Sequence, residues 1–184
     1  TKEMRYRAKS VNFGIIYGIS DFGLSRDLGI GIKESEFYIK TYFSRYPKIK
    51  SYFENTIAMA KEKGYVETLY NRKRAVPELK VKNKMVQNFG ERIAMNSPLQ
   101  GTAADLIKLA MIKVEAELEN RKLKAKLILQ VHDELLLTVP LSEVSEVENL
   151  LRNAMSQVAE LTVPLEVDVK IGANWYLLEK IGSE

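Results

Sequence analysis

Arg5, Lys9, Phe13 and Tyr17 stand four residues apart near the start of this 184-residue chain. On a helix of about 3.6 residues per turn, that spacing winds slowly and keeps all four on one stripe. Two cations lead and two aromatics follow. Cations in the first turns oppose the helix dipole, a small cost in isolation, yet together with the free amides of a helix start they seat a phosphate well. Gly14 and Gly18 beside the rings leave backbone open for a flat group such as a base. The stripe suits an anion joined to a ring. Spacing alone fits equally a helix with a solvated basic end and an aromatic core end.

A second constellation lies in Gln130-Val131-His132-Asp133-Glu134-Leu135. Adjacent carboxylates at a turn repel each other unless a cation intervenes. Magnesium answers that need, because it takes oxygen ligands and shares its coordination with substrate phosphates. A plain polar turn, where Asp is already favoured, is the competing reading. His132 is the chain's single histidine, a residue type that more often serves as a structural hydrogen bonder than as a reactant.

The elements that must carry these residues follow from punctuation and periodicity. Residues 2–17 lack proline and read as a helix stopped by Gly18. Ser20 suits an N-cap for a short helix ending at Gly29, and Lys33 to about Tyr46 forms another, closed by Pro47. A fourth helix runs to Gly64. Residues 65–70, a basic turn at 71–74 and residues 75–77 suggest a hairpin. A long helical region from about Val81 to Asn120 should be interrupted near Pro98. Residues 127–131 and 135–139 are apolar runs around His132-Asp133-Glu134, as in a tight hairpin. Residues 141–160 form an amphipathic helix, and residues 165–170 alternate as a half-buried strand.

Bulk composition bounds the rest. With 46% hydrophobic residues the chain can bury one good core or form a lobe of something larger, and a net charge of +4 permits an anionic partner without requiring one. There is no cysteine, so disulfides and thiolate metal sites are excluded, and one histidine excludes a His-rich zinc site. No run approaches the length of a membrane span and no signal peptide opens the chain, which leads to the expectation of a non-secreted protein without a membrane partner. The first residue is Thr1 rather than Met, so upstream sequence is expected to be missing.

The string Arg5-Tyr6-Arg7-Ala8-Lys9-Ser10-Val11-Asn12-Phe13-Gly14-Ile15-Ile16-Tyr17-Gly18 resembles the fingers-helix motif of family A DNA polymerases, the bacterial DNA polymerase I type. Val131-His132-Asp133-Glu134 between apolar strands resembles the family's palm motif, and residues 91–105, from Glu91 through Pro98 to Asp105, resemble its palm helix along the duplex. The likeness extends through Gly172-Ala173-Asn174-Trp175. It implies that Arg5 and Lys9 grip the triphosphate of the incoming nucleotide, that Phe13 stacks near its base and sugar, and that Tyr17 sits by the templating base. Asp133 would be a ligand of two catalytic magnesium ions, with Glu134 an accessory carboxylate. Asp133, Glu134 and Lys9 would then be the catalytic residues. Arg92, Asn96, Gln100 and His132 would contact primer and template. The first three, at four-residue spacing, would meet the minor groove, whose acceptors are much alike for every base pair. A surface ion pair for Arg92 and a cap role for Asn96 are the plainer alternatives.

The implied fold is α+β: part of a helical fingers subdomain over residues 1–80, then part of a palm over residues 81–184 with an antiparallel sheet packed on helices, an incomplete polymerase hand. The implied function is template-directed addition of deoxynucleotides to a primer 3′-hydroxyl by two-metal phosphoryl transfer. The family's other essential aspartate lies upstream in an Asp-Tyr-Ser-like motif that residues 1–184 lack. The chain alone is therefore expected to be inactive. Its expected partners are primer-template DNA, deoxynucleoside triphosphates and an upstream portion carrying the thumb and the rest of the palm. The expected setting is the cytoplasm of a bacterial or viral system, or an organelle. Three residues depart from the family pattern: Tyr6 and Gln87 where arginine is usual, and Gly31 where proline is common. The first two place individual phosphate or template contacts in question. A single-subunit RNA polymerase and a non-enzymatic nucleic-acid binder are the rival readings. The match at Asn12-Phe13-Gly14 argues against the first, and two carboxylates at a turn, which repel phosphate without a metal, argue against the second.

Overall fold

The structure, a computed structural model, describes residues 1–180. These divide into two compact units, Thr1–Thr102 and one beginning at Ala103, so the division falls inside a helix. It is a division by packing, distinct from the expected assignment of residues 1–80 to fingers and 81–184 to palm.

The first unit opens with four helices: α1 (Lys2–Ile16), α2 (Asp21–Leu28), α3 (Ile32–Arg45) and α4 (Pro47–Lys63). Their ends lie where the punctuation predicts. Gly18 follows α1 at φ +75°, and Gly29 and Gly64 close α2 and α4 in the left-handed conformation. Ser20 caps α2, its hydroxyl accepting from the Gly23 amide at 3.1 Å. Pro47 ends α3 by starting α4, where its missing amide costs nothing. Buried Ser35 on α3 donates to the Asp21 carbonyl at 2.7 Å, pinning α3 to the start of α2.

A short hairpin follows, β1 (Tyr65–Glu67) against β2 (Lys73–Ala75). It is smaller than expected, and Lys73 and Arg74 belong to a strand rather than to the turn. Next comes α5 (Lys84–Asn120), 37 residues long and continuous through Pro98. The expected interruption is absent, because a proline removes one rung of the ladder and the neighbouring rungs persist. The register of residues before and after Pro98 is thereby kept. Ala60, Val66, Val76, Leu79 and Ala94 form a core cluster in this unit, drawn from α4, β1, the segment after β2 with its 3₁₀ turn at Pro77–Lys80, and α5.

The second unit comprises the rest of α5, the hairpin β3 (Lys126–Val131) and β4 (Glu134–Thr138), α6 (Val144–Ser156), and a small ladder of β5 (Lys170–Ile171) with β6 (Glu179–Lys180). A 3₁₀ turn at Leu141–Glu143 leads into α6, so the helix expected over 141–160 is shorter at both ends. Val147, Leu150 and Ala154 recur on one face of α6 and meet Val114 and Leu118 of α5, with Leu135, Leu137 and Val139 of the hairpin packed on them. The Glu143 carboxylate ties this unit together, accepting from the Lys124 amide at 2.9 Å and the buried Ala125 amide at 2.9 Å.

The strand expected over residues 165–170 is corrected. Leu165, Val167 and Val169 do turn inward while Glu166 and Asp168 stay exposed, yet among the described residues only Lys170 and Ile171 enter a ladder. Alternation fixes which side chains are buried, whereas a strand also requires a partner. The Arg152 guanidinium holds the segment instead, donating to the Val167 carbonyl at 2.9 Å. The fold is mixed helical with small antiparallel sheets, each of two strands among the described residues. No described helix is long and apolar enough to cross a membrane.

Candidate functional site

In the first unit, α1 presents Arg5, Lys9, Phe13 and Tyr17 on its surface, all four exposed. The Phe13 and Tyr17 rings lie 6.4 Å apart at 18°, an offset stack reached because residues four apart on a helix face each other. Both rings are about half exposed, at 51% and 48%, so they are not core residues. That removes the plainer reading of an aromatic core end. Arg7 is occupied by Glu3 at 2.9 Å, while among the described residues Arg5 and Lys9 have no ion-pair partner. Two uncompensated cations followed by two open aromatic faces is an arrangement that receives an anion with a planar group attached.

Arg92, Asn96 and Gln100 share one side of α5 because the helix is unbroken at Pro98. The Arg92 guanidinium carbon lies 5.7 Å from the Phe89 ring centre, which stiffens the side chain. Its stem packs on the end of α1: a Cβ placed on Gly18 would come within 2.9 Å of Arg92 Cγ and 2.6 Å of Met95 Cε. The aromatic stripe and the Arg92 face are thus brought together by a close backbone approach. Among the described residues Asn96 Oδ1 is buried with no hydrogen-bond partner, so the oxygen faces the protein. Gln100 is exposed beside a shallow cleft lined also by Thr68, Arg72 and Ser97.

A set of residues that motif reading missed fixes this last region. The Thr102 hydroxyl accepts from the Leu69 amide at 2.9 Å and donates to the Pro98 carbonyl at 2.6 Å. Arg72 donates to the Gly101 carbonyl at 2.8 Å. Gly101 admits the hairpin only because it lacks a Cβ, which would fall 2.5 Å from Thr68 Cγ2. The basic turn was visible in sequence, but its use as a clamp on α5 depends on contacts about thirty residues away.

In the second unit, Val131 pairs with Glu134 and leaves a two-residue turn of His132 and Asp133. Glu134 is therefore a strand residue, a correction to the reading that put both carboxylates in the turn. His132 has φ +54° and Asp133 has no positive φ, the pattern of a type II′ turn, in which glycine is usual at the first place. All three side chains are exposed. Among the described residues neither carboxylate has an ion-pair partner, and no three His, Cys, Asp or Glu side chains converge as a metal cage. Two hard oxygen donors at an exposed tip nevertheless fit part of a magnesium shell, since that ion keeps waters and takes substrate oxygens for the remainder.

Comparison with known proteins establishes the family. The family model for DNA polymerase family A matches residues 1–177, and the chain belongs to that family. It is 53% identical over 176 residues to a DNA polymerase I of Caldicellulosiruptor bescii and 51% identical to one of Lactococcus lactis subsp. lactis. Each match covers 96% of this chain but only 21% and 20% of the relative, so the chain spans about a fifth of their length. Among solved structures, the POL domain of Pol1 from M. smegmatis, in complex with DNA primer-template and dNTP, superposes with a TM-score of 0.87 at 40% identity. That match covers 90% of this chain and 29% of that one.

Proposed function

We propose that this chain is most of the fingers and the greater part of the palm of a template-directed DNA polymerase, with part of the fingers over residues 1–80 and part of the palm over residues 81–184. The observation that carries the reading is the exposed stripe on α1, two cations without an ion-pair partner among the described residues followed by two stacked open rings, in a chain of family A. A nucleoside triphosphate has that order of parts, phosphates then base. Arg5 and Lys9 hold the triphosphate by charge-assisted hydrogen bonds, and their positive charge offsets the charge that builds on the leaving pyrophosphate. Phe13 lies against the sugar and base, and Tyr17 borders the templating base.

On the palm, Arg92, Asn96 and Gln100 contact the duplex in the minor groove. With the Asn96 oxygen turned inward, its amide nitrogen is left to donate, as minor-groove acceptors require. His132 touches the primer end. Asp133, with Glu134 beside it, would hold magnesium, which when bound supplies Lewis-acid stabilisation of the phosphoryl oxygens. Asp133 and Glu134 give only part of that site, and a carboxylate from an upstream polypeptide completes it. The named relatives support a bacterial cytoplasmic setting, and the M. smegmatis complex supports primer-template DNA and deoxynucleotides as partners.

Extension of a labelled primer tests the reading. Residues 1–184 alone should be inactive, and mixing them with a polypeptide carrying the upstream palm and thumb should restore magnesium-dependent extension. Asp133→Ala in this chain should abolish the restored activity. Robust extension by the chain alone, in a sample shown by intact mass to hold nothing else, would overturn the claim of a shared metal site.

A further inference from the structure

The turn that carries Asp133 is built on an unfavourable conformation. His132 adopts φ +54°, where a side chain with a Cβ crowds its own carbonyl, and such residues persist only where their surroundings hold them. Packing does not do so here, because His132, Asp133 and Glu134 are all exposed at the hairpin tip. Among the described residues, one side-chain hydrogen bond reaches the turn. The Gln130 amide nitrogen Nε2 donates to the His132 carbonyl. Since a carbonyl oxygen only accepts, the chemistry of the contact requires Gln130 to present nitrogen rather than oxygen.

We infer that Gln130 is a positioning residue for Asp133, acting through the His132–Asp133 peptide group and not by contact with substrate. The argument is geometric. The His132 carbonyl belongs to the peptide plane between His132 and Asp133, so fixing it sets the ψ of the first residue and the φ of the second. Those two angles aim the Asp133 side chain. Gln130 can act as a clamp because its own backbone is fixed in the ladder, paired with Leu135, and its half-buried side chain lies on the hairpin side shared with Leu135, which packs on the core. Without the clamp the turn would relax toward negative φ at His132, and the carboxylate would spend less time in its working direction.

The inference rests on the reading of Asp133 as a metal-holding carboxylate, and the experiment separates the two. In the polymerase reconstituted with its upstream part, Gln130→Met, which keeps length and loses the donor, should lower the incorporation rate by about tenfold or more, the usual effect of removing a residue that orients a metal ligand. The nucleotide KM and primer-template affinity should stay within about twofold. Gln130→Glu, which sets a carboxylate against the carbonyl, should be at least as damaging. In a His132→Gly background, where positive φ carries no penalty, Gln130→Met should lose most of its effect. A readout without metal or substrate accompanies these: in isotope-labelled chain, the HN–Hα coupling and carbon shifts of His132 should report positive φ in the parent and move toward ordinary values in Gln130→Met. An unchanged rate, an equal loss in the His132→Gly background, weakened DNA binding, or an unmoved His132 signature would each overturn the inference. If Asp133→Ala left extension intact, the metal-site reading would fall, while the His132 signature would still decide whether Gln130 holds the turn.

Discussion

Replacing Gly18 by alanine should test the joint between the α1 stripe and the Arg92 face. Gly18 sits at φ +75°, and for an L residue the left-handed region costs about 1–2 kcal/mol. The new Cβ would also lie 2.6 Å from Met95 Cε and 2.9 Å from Arg92 Cγ, both closer than real Cβ contacts. Met95 Cε is the free end of a flexible chain and moves cheaply. Arg92 Cγ is near its backbone and moves only with the helix or by a rotamer change, so overpacking adds about 1–2 kcal/mol, the lower part of the usual range. Together the loss should be about 2–4 kcal/mol. Urea unfolding followed by far-ultraviolet circular dichroism measures it. In an Arg92→Ala background the Arg92 share disappears, so the two substitutions should couple by about 1 kcal/mol, with the conformational share remaining. Gly18→Ala within about 0.5 kcal/mol of the parent would refute the close approach, and additivity with Arg92→Ala would refute its assignment to Arg92.

Three other substitutions address the site and its scaffold. Lys9→Ala should raise the nucleotide KM of the reconstituted enzyme by about 10- to 100-fold, the worth of a charge-assisted hydrogen bond, with primer-template affinity nearly unchanged; steady-state kinetics with a DNA-binding control decides it. Phe13→Tyr should improve use of a terminator lacking the 3′-hydroxyl relative to the normal nucleotide by supplying a hydroxyl beside the sugar, and a competition ratio that does not move would refute the placement of Phe13. Glu143→Ala should destabilise the second unit by about 2–4 kcal/mol, because it strands the amide of buried Ala125 and frees that of Lys124. Glu143→Gln should cost about half as much, and fluorescence of Trp175, the single tryptophan, reports the urea transition in that unit.

Much of this was legible in the sequence because it was written in local chemistry. Ser20, Gly29, Pro47 and Gly64 bound helices by rules that operate over a few residues, and the structure follows them. The four-residue spacing of the α1 stripe placed its members on one exposed face in the same way. What escaped depends on partners distant in sequence. The alternation of residues 165–169 gave their burial correctly, yet a ladder requires a neighbouring strand that no single segment encodes. Pro98 read as an interruption because its local penalty is visible, while the surrounding turns that outweigh it are not. Glu143 carries no local signal of its role, since its bonds go to backbone amides 18 and 19 residues back. The hairpin tip was located, but its positive φ was hidden, because the residue there is histidine rather than the glycine or asparagine that ordinarily marks such a position.

That histidine has a consequence for anyone improving the protein. Glycine at position 132 would take φ +54° without steric cost, so a screen scored only on melting temperature should favour losing the imidazole. The gain would be drawn from the residue next to Asp133. Directed evolution for heat tolerance would then act against the hairpin tip while measures of folding improved. Selection is best run with primer extension by the chain reconstituted with its upstream part as a second criterion, so that robustness is gathered elsewhere and the tip keeps its histidine.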